Sequence, residues 1–455
     1  MENKMAEYNL NGTKVIRSEQ DIPVRWSGDI IIAGGGPGGL GATIAAHRAG
    51  AKTILVEKCG FLGGMMSYGC GMPLGGAYPG MKSIGGIAEE ILSTVRNAGQ
   101  DAADVRHMPL FGDWYFHDSE FFKLIISQIA LKEKLNVLLH TFVCDVIMDN
   151  KRHAAGIIIE SKSGREALLG KVIVDATGDA DICARAGARY ECGDDRGDMM
   201  GVTIPYIFAD VDIDKYLEFI KDDKSFSKAR AKAKVDGVVT NDDDKFTSHH
   251  VGQRPNTVFI NCVRVRNIDG TKVEDLTRGE LEGRIRMLEH LNFFRRYVPG
   301  FEKAYIASSG AELGVRDTRR IIGEDYLHME DCLNVRKQPD KTILRCQGPF
   351  DDTSRGQGRT DLQHNQVDVY DYYDIPYGVL VPQDLDNVIV SGRTFSSNPR
   401  AQAGSRGQGL LMGMGQAAGT AAVMAVQKGC AFKDINIKEL QKLLIKAGCD
   451  LGQGV

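Results

Sequence analysis

A glycine-rich turn between two short apolar runs constrains the fold of this 455-residue chain more than any other feature. Residues 29–33 read DIIIA and residues 53–57 read TILVE, and both runs are typical of buried strands. Between them, GGGPGG at 34–39 leads into an apolar stretch, 40–48, that predicts a helix. The order strand, tight turn, helix, strand predicts one βαβ unit.

The turn also fits the pattern G-x-G-x-x-G in the context that gives the pattern meaning. Gly34 permits the tight turn, Gly36 lets the backbone approach a pyrophosphate, and Gly39 lets the helix pack on the strand. The helix N-terminus offers free N–H groups and partial positive charge to phosphates. Glu57, 18 residues after Gly39, stands where an acid accepts hydrogen bonds from ribose hydroxyls and repels a 2′-phosphate. The unit therefore predicts FAD or NAD rather than NADP.

The rest of the chain favours FAD over NAD. Residues 60–86 are a second glycine-rich stretch, which predicts loop and turn instead of the further alternating strands and helices of an NAD dehydrogenase. Two more strand-to-glycine transitions, at 174–178 and 390–392, lie far along the chain. A long ligand that several distant segments touch fits FAD. A second G-x-G-x-x-G unit, expected of a separate NADPH domain, is missing from the sequence.

Hydrophobic periodicity extends the prediction to the whole chain. We predict an α/β fold, a Rossmann-like FAD-binding domain with a central parallel sheet and a β-meander, plus an inserted α+β substrate domain. The predicted parts are an N-terminal arm (1–27), the first part of the FAD-binding domain (28–200), the substrate domain (201–375) and the C-terminal part of the FAD-binding domain (376–455). The predicted helices are 87–98, a helix from 118, one from the capping box at Thr277 and Glu280 to 297, and 409–427. The predicted strands are 137–139, a meander at 142–148, 154–160 and 166–169, then 171–175 and 388–390.

Composition narrows the class of protein. Lys and Arg number 56 against 60 Asp and Glu, and this net charge of −4 argues against a nucleic-acid partner. The sequence has no apolar run near the roughly 18 residues of a membrane span, and the N-terminal segment lacks an apolar signal core. Ten cysteines without a C-x-x-C pair predict reduced thiols in a cytoplasmic protein and no bound metal.

Several long segments carry a resemblance to a known family. They are DIIIAGGGPGGLGATIAAHRAGAKTILVEKCGFLGG at 29–64, VIVDATGDADICARAGA at 172–188, RVRNIDGTKVEDLTRGELEGR at 264–284, LGVRDTRRIIGEDYL at 313–327, and YDIPYGVLVPQDLDNVIVSGR at 373–393 with the GQAAGTAA helix after it. In their order they resemble the FAD-dependent oxidoreductases of the glutathione-reductase superfamily, in the branch related to the flavin core of heterodisulfide reductase. Full-length flavin subunits of heterodisulfide reductase also carry ferredoxin-type cysteine runs, and this sequence has none.

The resemblance implies a role for each matching position. The glycines of the turn would line the pyrophosphate, Glu57 would hold the adenosine ribose, and Val143 would contact adenine. Gly64 and Met65 would lie along the ribityl chain and flavin, and the last helix, near 410–412, would face flavin N1 and O2, where negative charge develops on reduction. The implied cofactor-binding set is Gly34, Gly36, Pro37, Gly38, Gly39, Glu57, Lys58, Gly64, Met65, Val143, Ala176, Thr177, Gly178, Gly392, Arg393, Leu411 and Met412.

Four residues are candidates for substrate chemistry. Arg316 and Arg319, with Arg320, share one face if 313–322 is helical, and could hold a substrate carboxylate. The alternative is an ion-pair network with neighbouring acids or a contact between subunits. His364 is a candidate proton-transfer group or a surface histidine. Arg406 could face flavin or substrate, or pair with surface acids.

Three weaker patterns receive the plainer interpretation. His249-His250 is interpreted as loop rather than metal site. Cys59 and Cys70 lie too far apart in sequence for a C-x-x-C dithiol that works with the flavin. The pattern Gly415-x-x-x-Gly419 indicates close packing of a helix on the sheet rather than membrane association.

The sequence therefore predicts a soluble FAD-dependent oxidoreductase that transfers a hydride between a small-molecule substrate and flavin N5. The substrate would lie between the flavin domain and the middle domain. The sequence does not identify the electron acceptor or donor, and it leaves a homo-oligomer possible. The alternative is a flavin-carrying electron-transfer subunit of a heterodisulfide-reductase-like complex. A more distant alternative is flavin as a structural cofactor. About 175 residues of middle domain exceed what a carrier needs, which favours the enzyme.

Overall fold

The computed structural model describes residues 8–11, 14–17, 21–108, 112–239, 248–351 and 370–452. The strands are β1 (Tyr8–Asn11), β2 (Lys14–Arg17), β3 (Val24–Ala33), β4 (Thr53–Val56), β5 (Ala103–Met108), β6 (Gly112–His117), β7 (Val137–Leu138), β8 (Phe142–Asn150), β9 (His153–Ser161), β10 (Gly164–Asp175), β11 (Tyr190–Cys192), β12 (Val202–Thr203), β13 (Tyr206–Ala209), β14 (His249–Val251), β15 (Val258–Ile260), β16 (Arg264–Val265), β17 (Tyr305–Ser309), β18 (Arg319–Ile321), β19 (Thr342–Cys346), β20 (Tyr373–Pro376) and β21 (Val388–Val390). The α-helices are α1 (Pro37–Arg48), α2 (Met65–Tyr68), α3 (Gly86–Arg96), α4 (Ser119–Lys132), α5 (Asp181–Arg185), α6 (Ile213–Asp222), α7 (Ser227–Val235), α8 (Val273–Tyr297), α9 (Met329–Leu333), α10 (Pro399–Ser405), α11 (Gln408–Lys428) and α12 (Ile437–Lys446).

The central sheet is mostly parallel, as the sequence predicts. Its strand order is β7-β4-β3-β10, with β9 and β8 continuing from one half of β10 and β21 pairing the other half. The pairs β3–β4, β4–β7, β3–β10 and β10–β21 are parallel, and β8, β9 and the start of β10 form an antiparallel meander. The α/β fold with parallel sheet and meander is therefore confirmed. Helices α1 and α11 cover the sheet with apolar side chains that belong to the same core.

The meander and the parallel sheet share one strand, which differs from the prediction. The predicted strands at 166–169 and 171–175 are two halves of β10, a strand of 12 residues. Gly170 joins the halves, and a Cβ there would lie 2.9 Å from the side chain of Ile31. The first half of β10 is partly exposed, whereas the last four residues of the whole strand are buried. This change of hydrophobic pattern suggested two strands where the backbone makes one.

The N-terminal end of the sheet also differs from the prediction. Strand β3 begins at Val24, so the predicted end of the arm at residue 27 falls inside a strand. Residues 24–28 pair with residues 167–170 of β10 and carry exposed side chains at their start, so hydrophobicity did not mark them. Strands β1 and β2 form an antiparallel hairpin within the same predicted arm.

The middle of the chain has its own core. Strands β14, β15, β13 and β17 form a four-stranded antiparallel sheet, and helices α6, α7 and α8 contribute to the same apolar cluster. Aromatic rings dominate that cluster: Phe208 lies 5.3 Å from Phe301 and 5.0 Å from Phe294, centroid to centroid. A separate core of this kind fits the predicted inserted α+β domain.

Two local predictions in the chain are wrong. Helix α8 begins at Val273, and Thr277, the predicted cap, donates its hydroxyl to the Val273 carbonyl from within the helix. Glu280 instead accepts the backbone N–H of Leu313 and pairs with Arg284. A Ser/Thr-x-x-Glu pattern therefore also arises inside a helix, because i, i+4 bonds use the same residue types. The glycine-rich stretch at 60–86 contains the short helix α2.

Helix α11 packs on α1 with almost no side chain between the two backbones. A Cβ on Gly415 would lie 2.0 Å from the Gly38 carbonyl oxygen, and a Cβ on Gly419 would lie 2.3 Å from that of Ala42. Close packing is thus as predicted, but the partner is α1 rather than the sheet. In the described part of the chain α11 is the one helix long and apolar enough to cross a membrane, and 89% of its apolar window is buried inside the protein.

We expect Gly415→Ala to lower the free energy of unfolding by about 1–3 kcal/mol, because the added methyl overpacks a backbone contact. Lys428→Ala, at the exposed end of the same helix, is the control and should change it by less than about 0.5 kcal/mol. Urea unfolding followed by circular dichroism measures both. Equal stability of Gly415→Ala and the parent would contradict the backbone contact.

Candidate active site

A cavity of about 1240 Å³ lies at the carboxyl edge of the parallel sheet and extends to the middle domain. Its walls include the turn after β3, the segments after β10 and β21, and the start of α11. The opposite wall includes residues of β12, β14 and β16 and of the segment before β18. Such edges of open parallel sheets are where α/β proteins bind ligands.

The predicted pyrophosphate turn forms one wall of the cavity. Gly34, Gly36, Pro37 and Gly38 line it. Gly34 has a φ of +106°, a conformation that requires glycine. Gly36 caps α1 without a side chain, so the first N–H groups of the helix stay available to an anion. Gly39 does not line the cavity: a Cβ there would lie 1.8 Å from the Gly34 carbonyl oxygen, so Gly39 closes the turn against the helix.

Glu57 lies on the same wall and is held by two backbone amides. Its Oε2 accepts the N–H of Gly35 at 2.6 Å and its Oε1 accepts that of Cys59 at 2.7 Å. The residue is only 7% exposed, so these bonds fix the carboxylate while each oxygen keeps a lone pair for a ligand. Lys58 lines the cavity next to it and pairs with Glu312 at 2.6 Å, and Val143, on β8, lines the cavity as well.

The ends of β10 and β21 lie side by side, because the two strands pair in parallel. Ala176, Thr177 and Gly178 line the cavity after β10, and Gly392 and Arg393 line it after β21. Arg393 donates from Nη2 to Asp179 Oδ1 at 2.6 Å, which joins the two segments. The structure therefore brings together the two strand-to-glycine transitions that are far apart in the sequence.

Helix α11 begins at the cavity wall. Its N-cap, Gly407, makes no side-chain capping bond, and Gly407, Gln408 and Leu411 line the cavity. Met412 does not line the cavity, since it is fully buried where α11 meets α1. Gly64 and Met65, at the start of α2, also line the cavity. Two uncapped helix N-termini, those of α1 and α11, thus border one cavity.

Several buried polar atoms on the wall lack a hydrogen-bond partner within the described ranges. They are Ser391 Oγ, Arg393 Nε, Arg406 Nε and Gln408 Oε1 from the C-terminal part of the FAD-binding domain, and His250 Nε2 and Asn261 Oδ1 from the middle domain. Buried polar atoms are almost always hydrogen-bonded in native proteins. This set therefore fits a polar ligand that reaches both sides, and the uncapped glycine turn fits its phosphates.

The arginines at 316, 319 and 320 do not share a helix face, so that interpretation is wrong. Residues 319–321 form β18, paired with β11, and consecutive strand residues point to opposite sides. Arg319 does not line the cavity: it donates to Asp179 O and Asp181 Oδ1 and lies 5.5 Å from the ring of Tyr190. Arg320 is buried in an ion pair with Asp317 at 2.6 Å.

Arg316 does line the cavity, together with Arg406 and Arg264. It is 8% exposed and donates from Nη1 to Gly201 O and Thr203 Oγ1, both at 3.0 Å. Burial lowers the pKa of the Arg316 guanidinium to about 10, Asp351 opposes the shift, and Arg406 and Arg264 add to it. The guanidinium is still charged at neutral pH. His364, the remaining catalytic candidate, lies outside the described residues.

The sequence motifs did not identify the wall formed by the middle domain. His249 and His250 lie on β14 rather than in a loop, and His250 faces the cavity stacked on Phe259 at 4.7 Å. Burial lowers the pKa of His250 to about 3, so it is neutral. His249 hydrogen-bonds Tyr216 and the Lys224 carbonyl. Apart from Arg316, the adjacent pair of histidines was the available signal, since other residues of this wall such as Asn261 belong to no motif.

The cysteines take no part in a pair. All ten are free thiols, and Cys59 contacts Glu312 whereas Cys70 contacts the Pro205 carbonyl. Burial raises the pKa of Cys59 to about 12 and that of Cys70 to about 11, which disfavours the reactive thiolate. Within the residues that the structure covers, no three His, Cys, Asp or Glu side chains are grouped to hold a metal ion.

Comparison with known proteins agrees with this geometry. A family model described as FAD dependent oxidoreductase matches residues 29–444. That range includes the glycine turn, the middle domain and most of the C-terminal helices.

Curated relatives match a smaller part of the chain. A thiamine thiazole synthase of Aeropyrum pernix is 30% identical over 131 residues, which are 29% of this chain and 43% of that protein. A thiamine thiazole synthase of Saccharolobus islandicus is 29% identical over 187 residues, 39% of this chain and 62% of that protein. The chain thus spans about half the length of these relatives. Among solved structures, a geranylgeranyl bacteriochlorophyll reductase-like protein of Thermoplasma acidophilum is 13% identical, with a TM-score of 0.47 over 93% of this chain and 84% of that one.

We expect Glu57→Gln to weaken FAD binding about tenfold, because glutamine keeps one acceptor oxygen for two backbone amides and the ribose. The measurement is a titration of apoprotein with FAD. Glu160→Gln, on an exposed surface pair, is the control and should bind like the parent. A Glu57→Gln protein with unchanged FAD affinity would show that this carboxylate does not contact the cofactor.

Proposed function

The chain belongs to the FAD-dependent oxidoreductase family, and from that premise we propose that it transfers a hydride between a small-molecule substrate and flavin N5. It is an oxidoreductase with FAD as its cofactor. One observation carries the finer proposal: the cavity that contains the glycine turn continues without a break to the wall formed by the middle domain. A cofactor held at the sheet edge would therefore share its cavity with a second molecule.

The residues on the sheet side would hold the cofactor at distinct parts. The first turn of α1 would bind the pyrophosphate, with Gly392 and Arg393 beside it, and Glu57 would accept the ribose hydroxyls. The N-terminus of α11 would lie toward the flavin ring, where a helix N-terminus stabilises negative charge. The bound flavin supplies the redox chemistry, and the chain supplies position and electrostatics.

The residues on the other side would hold the substrate and limit access of water. Trp114 and Phe116 of β6 and Val315 of the middle domain add apolar surface to the cavity, whereas Arg316, Asn261 and, just before α11, Arg406 supply polar contacts. A mostly apolar pocket with a few placed polar groups is typical of a small-molecule site. Neutral His250, with Nε2 unpartnered in the described chain, is the group on this wall that could exchange a hydrogen bond with the substrate without adding charge.

The alternative, a flavin-carrying electron-transfer subunit, needs no second binding wall. A carrier passes electrons to a protein partner and gains nothing from a buried arginine such as Arg316 inside the cavity. The similarity to thiamine thiazole synthases does not indicate the substrate of this chain, since the two alignments described above cover only 29% and 39% of it. The ten free thiols support a further proposal, that the protein acts in the cytoplasm, a reducing compartment.

The test is run without oxygen on the flavin-loaded protein. Hydroxy acids, amino acids and reduced nicotinamide nucleotides are offered as hydride donors with an excess of an oxidised redox dye, and enoic acids are offered as acceptors with an excess of a reduced redox dye. We expect at least one compound to change the dye absorbance through multiple turnovers of the flavin. Val315→Trp, which fills the substrate wall, should keep its flavin and lower kcat/KM for that compound about 100-fold. Val235→Trp, at an exposed position, is the matched control and should leave kcat/KM unchanged.

Two results would count against the proposal. Normal turnover by Val315→Trp would mean that the substrate does not bind at this wall. A flavin that exchanges electrons with a ferredoxin and with none of the small molecules would favour the carrier.

A further inference from the structure

We propose that the substrate is a carboxylic acid with an apolar body, and that Arg316 and Arg406 hold its carboxylate. The inference rests on the proposed function, since it names the class of substrate for the same cavity. It is carried by three observations: guanidinium donors without partners in the described chain, repulsion of Arg316 by two other guanidinium groups, and apolar side chains in the lining of the same cavity.

Arg316 has donors to spare in a buried place. Its Nη1 is used by Gly201 and Thr203, and its Nε lies 3.6 Å from Asp351 Oδ2, too far for a good hydrogen bond. Its Nη2 makes no hydrogen bond within the described chain. Because Arg316 lines the cavity, this charged donor is open to a ligand there. A carboxylate that accepts from Nη2 would do so with a charge-assisted bond.

Arg406 presents a second incomplete guanidinium to the same cavity. Its Nη2 donates to Asp351 O at 2.8 Å and to Asp351 Oδ2 at 3.2 Å. Its Nε is buried without a partner in the described ranges. Asp351 thus lies between the two arginines and satisfies neither of them fully. Its own side chain is 40% exposed, so it is a partly solvated counter-ion rather than a fixed one.

Two other guanidinium groups repel the charge of Arg316. Arg264 lines the cavity too and adds to the depression of the Arg316 pKa, so three guanidinium groups act on one another. Asp351 lies within ion-pair distance of Arg316 and Arg406. Asp317, which follows Arg316 directly in the sequence, is paired with Arg320. An anionic ligand group would reduce this repulsion, whereas a cation would increase it.

The surroundings of the arginines indicate what the carboxylate is attached to. The lining of the same cavity includes the apolar side chains of Trp114, Phe116, Met72, Leu276, Val315 and Phe350. These side chains suit an aromatic or branched aliphatic body and offer little to a sugar or a nucleotide. The ligand class that matches both features is an apolar carboxylic acid.

Benzoate and benzamide form a matched pair of probes for this site, because they share shape and differ in charge. Calorimetric titration of the flavin-loaded protein should give at least about tenfold tighter binding of benzoate than of benzamide. Arg406→Gln should weaken benzoate about tenfold and leave benzamide unchanged. Asp351→Asn, which removes the competing carboxylate, should tighten benzoate several-fold. Arg189→Gln, in an exposed pair with Asp384, is the control and should match the parent.

Opposite effects of Arg406→Gln and Asp351→Asn are the signature of the proposal, since loss of fold would weaken both. Arg316→Gln should behave as Arg406→Gln does, provided that its circular dichroism matches the parent. Equal binding of the two probes, or equal benzoate affinity of Arg406→Gln and the parent, overturns the inference and leaves the proposed function intact. A protein that takes up no FAD overturns the proposed function, and the inference with it.

Discussion

Parallel pairing of β10 with both β3 and β21 is the constraint on which the rest of the structure depends. In register, Asp175 lies beside Ala33 on one side and beside Val390 on the other. The three adjacent strands β3, β10 and β21 therefore end level with one another. The residue that follows each strand lies at the same edge of the sheet. Backbone bonds fix this edge, since the Ala176 N–H donates to the Ala33 carbonyl and the Ser391 N–H to the Asp175 carbonyl, both at 2.8 Å. A wall for a long ligand follows from sheet register alone.

That edge also explains where the middle domain can be inserted. Residues 176–387 leave the sheet after β10 and return to it at β21, and the two strands are neighbours. Because β10 and β21 are parallel, this connection leaves the sheet at the carboxyl edge and crosses back toward the opposite edge before β21 begins. The aromatic core around Phe208 then stabilises the inserted part by itself. The residues of the middle domain that line the cavity thus belong to a connection that starts at the carboxyl edge of the sheet.

Sequence alone predicted most of the residues that line the cavity on the sheet side and few of those that line it from the middle domain. The glycine turn, Glu57 and the last helix were predictable because each is a local pattern with a local physical reason. Arg316 was identified, but with the wrong neighbours, since a spacing of i, i+3, i+4 does not distinguish a helix from the irregular segment and strand seen here. Residues such as Trp114 and His250 come together from distant segments, and only the tertiary fold brings them to one cavity.

The contact between α1 and α11 has a consequence of its own. Gly38 and Gly415 meet backbone to backbone, and the N-termini of the two helices border opposite parts of one cavity. The partly positive N-termini of α1 and α11 are therefore held apart by main-chain contacts, and their separation does not depend on side-chain rotamers. Substitutions among the surrounding apolar side chains can therefore accumulate in evolution without altering that separation. The distance between the N-termini of α1 and α11 is therefore constant, and a ligand that contacts both of them must match it.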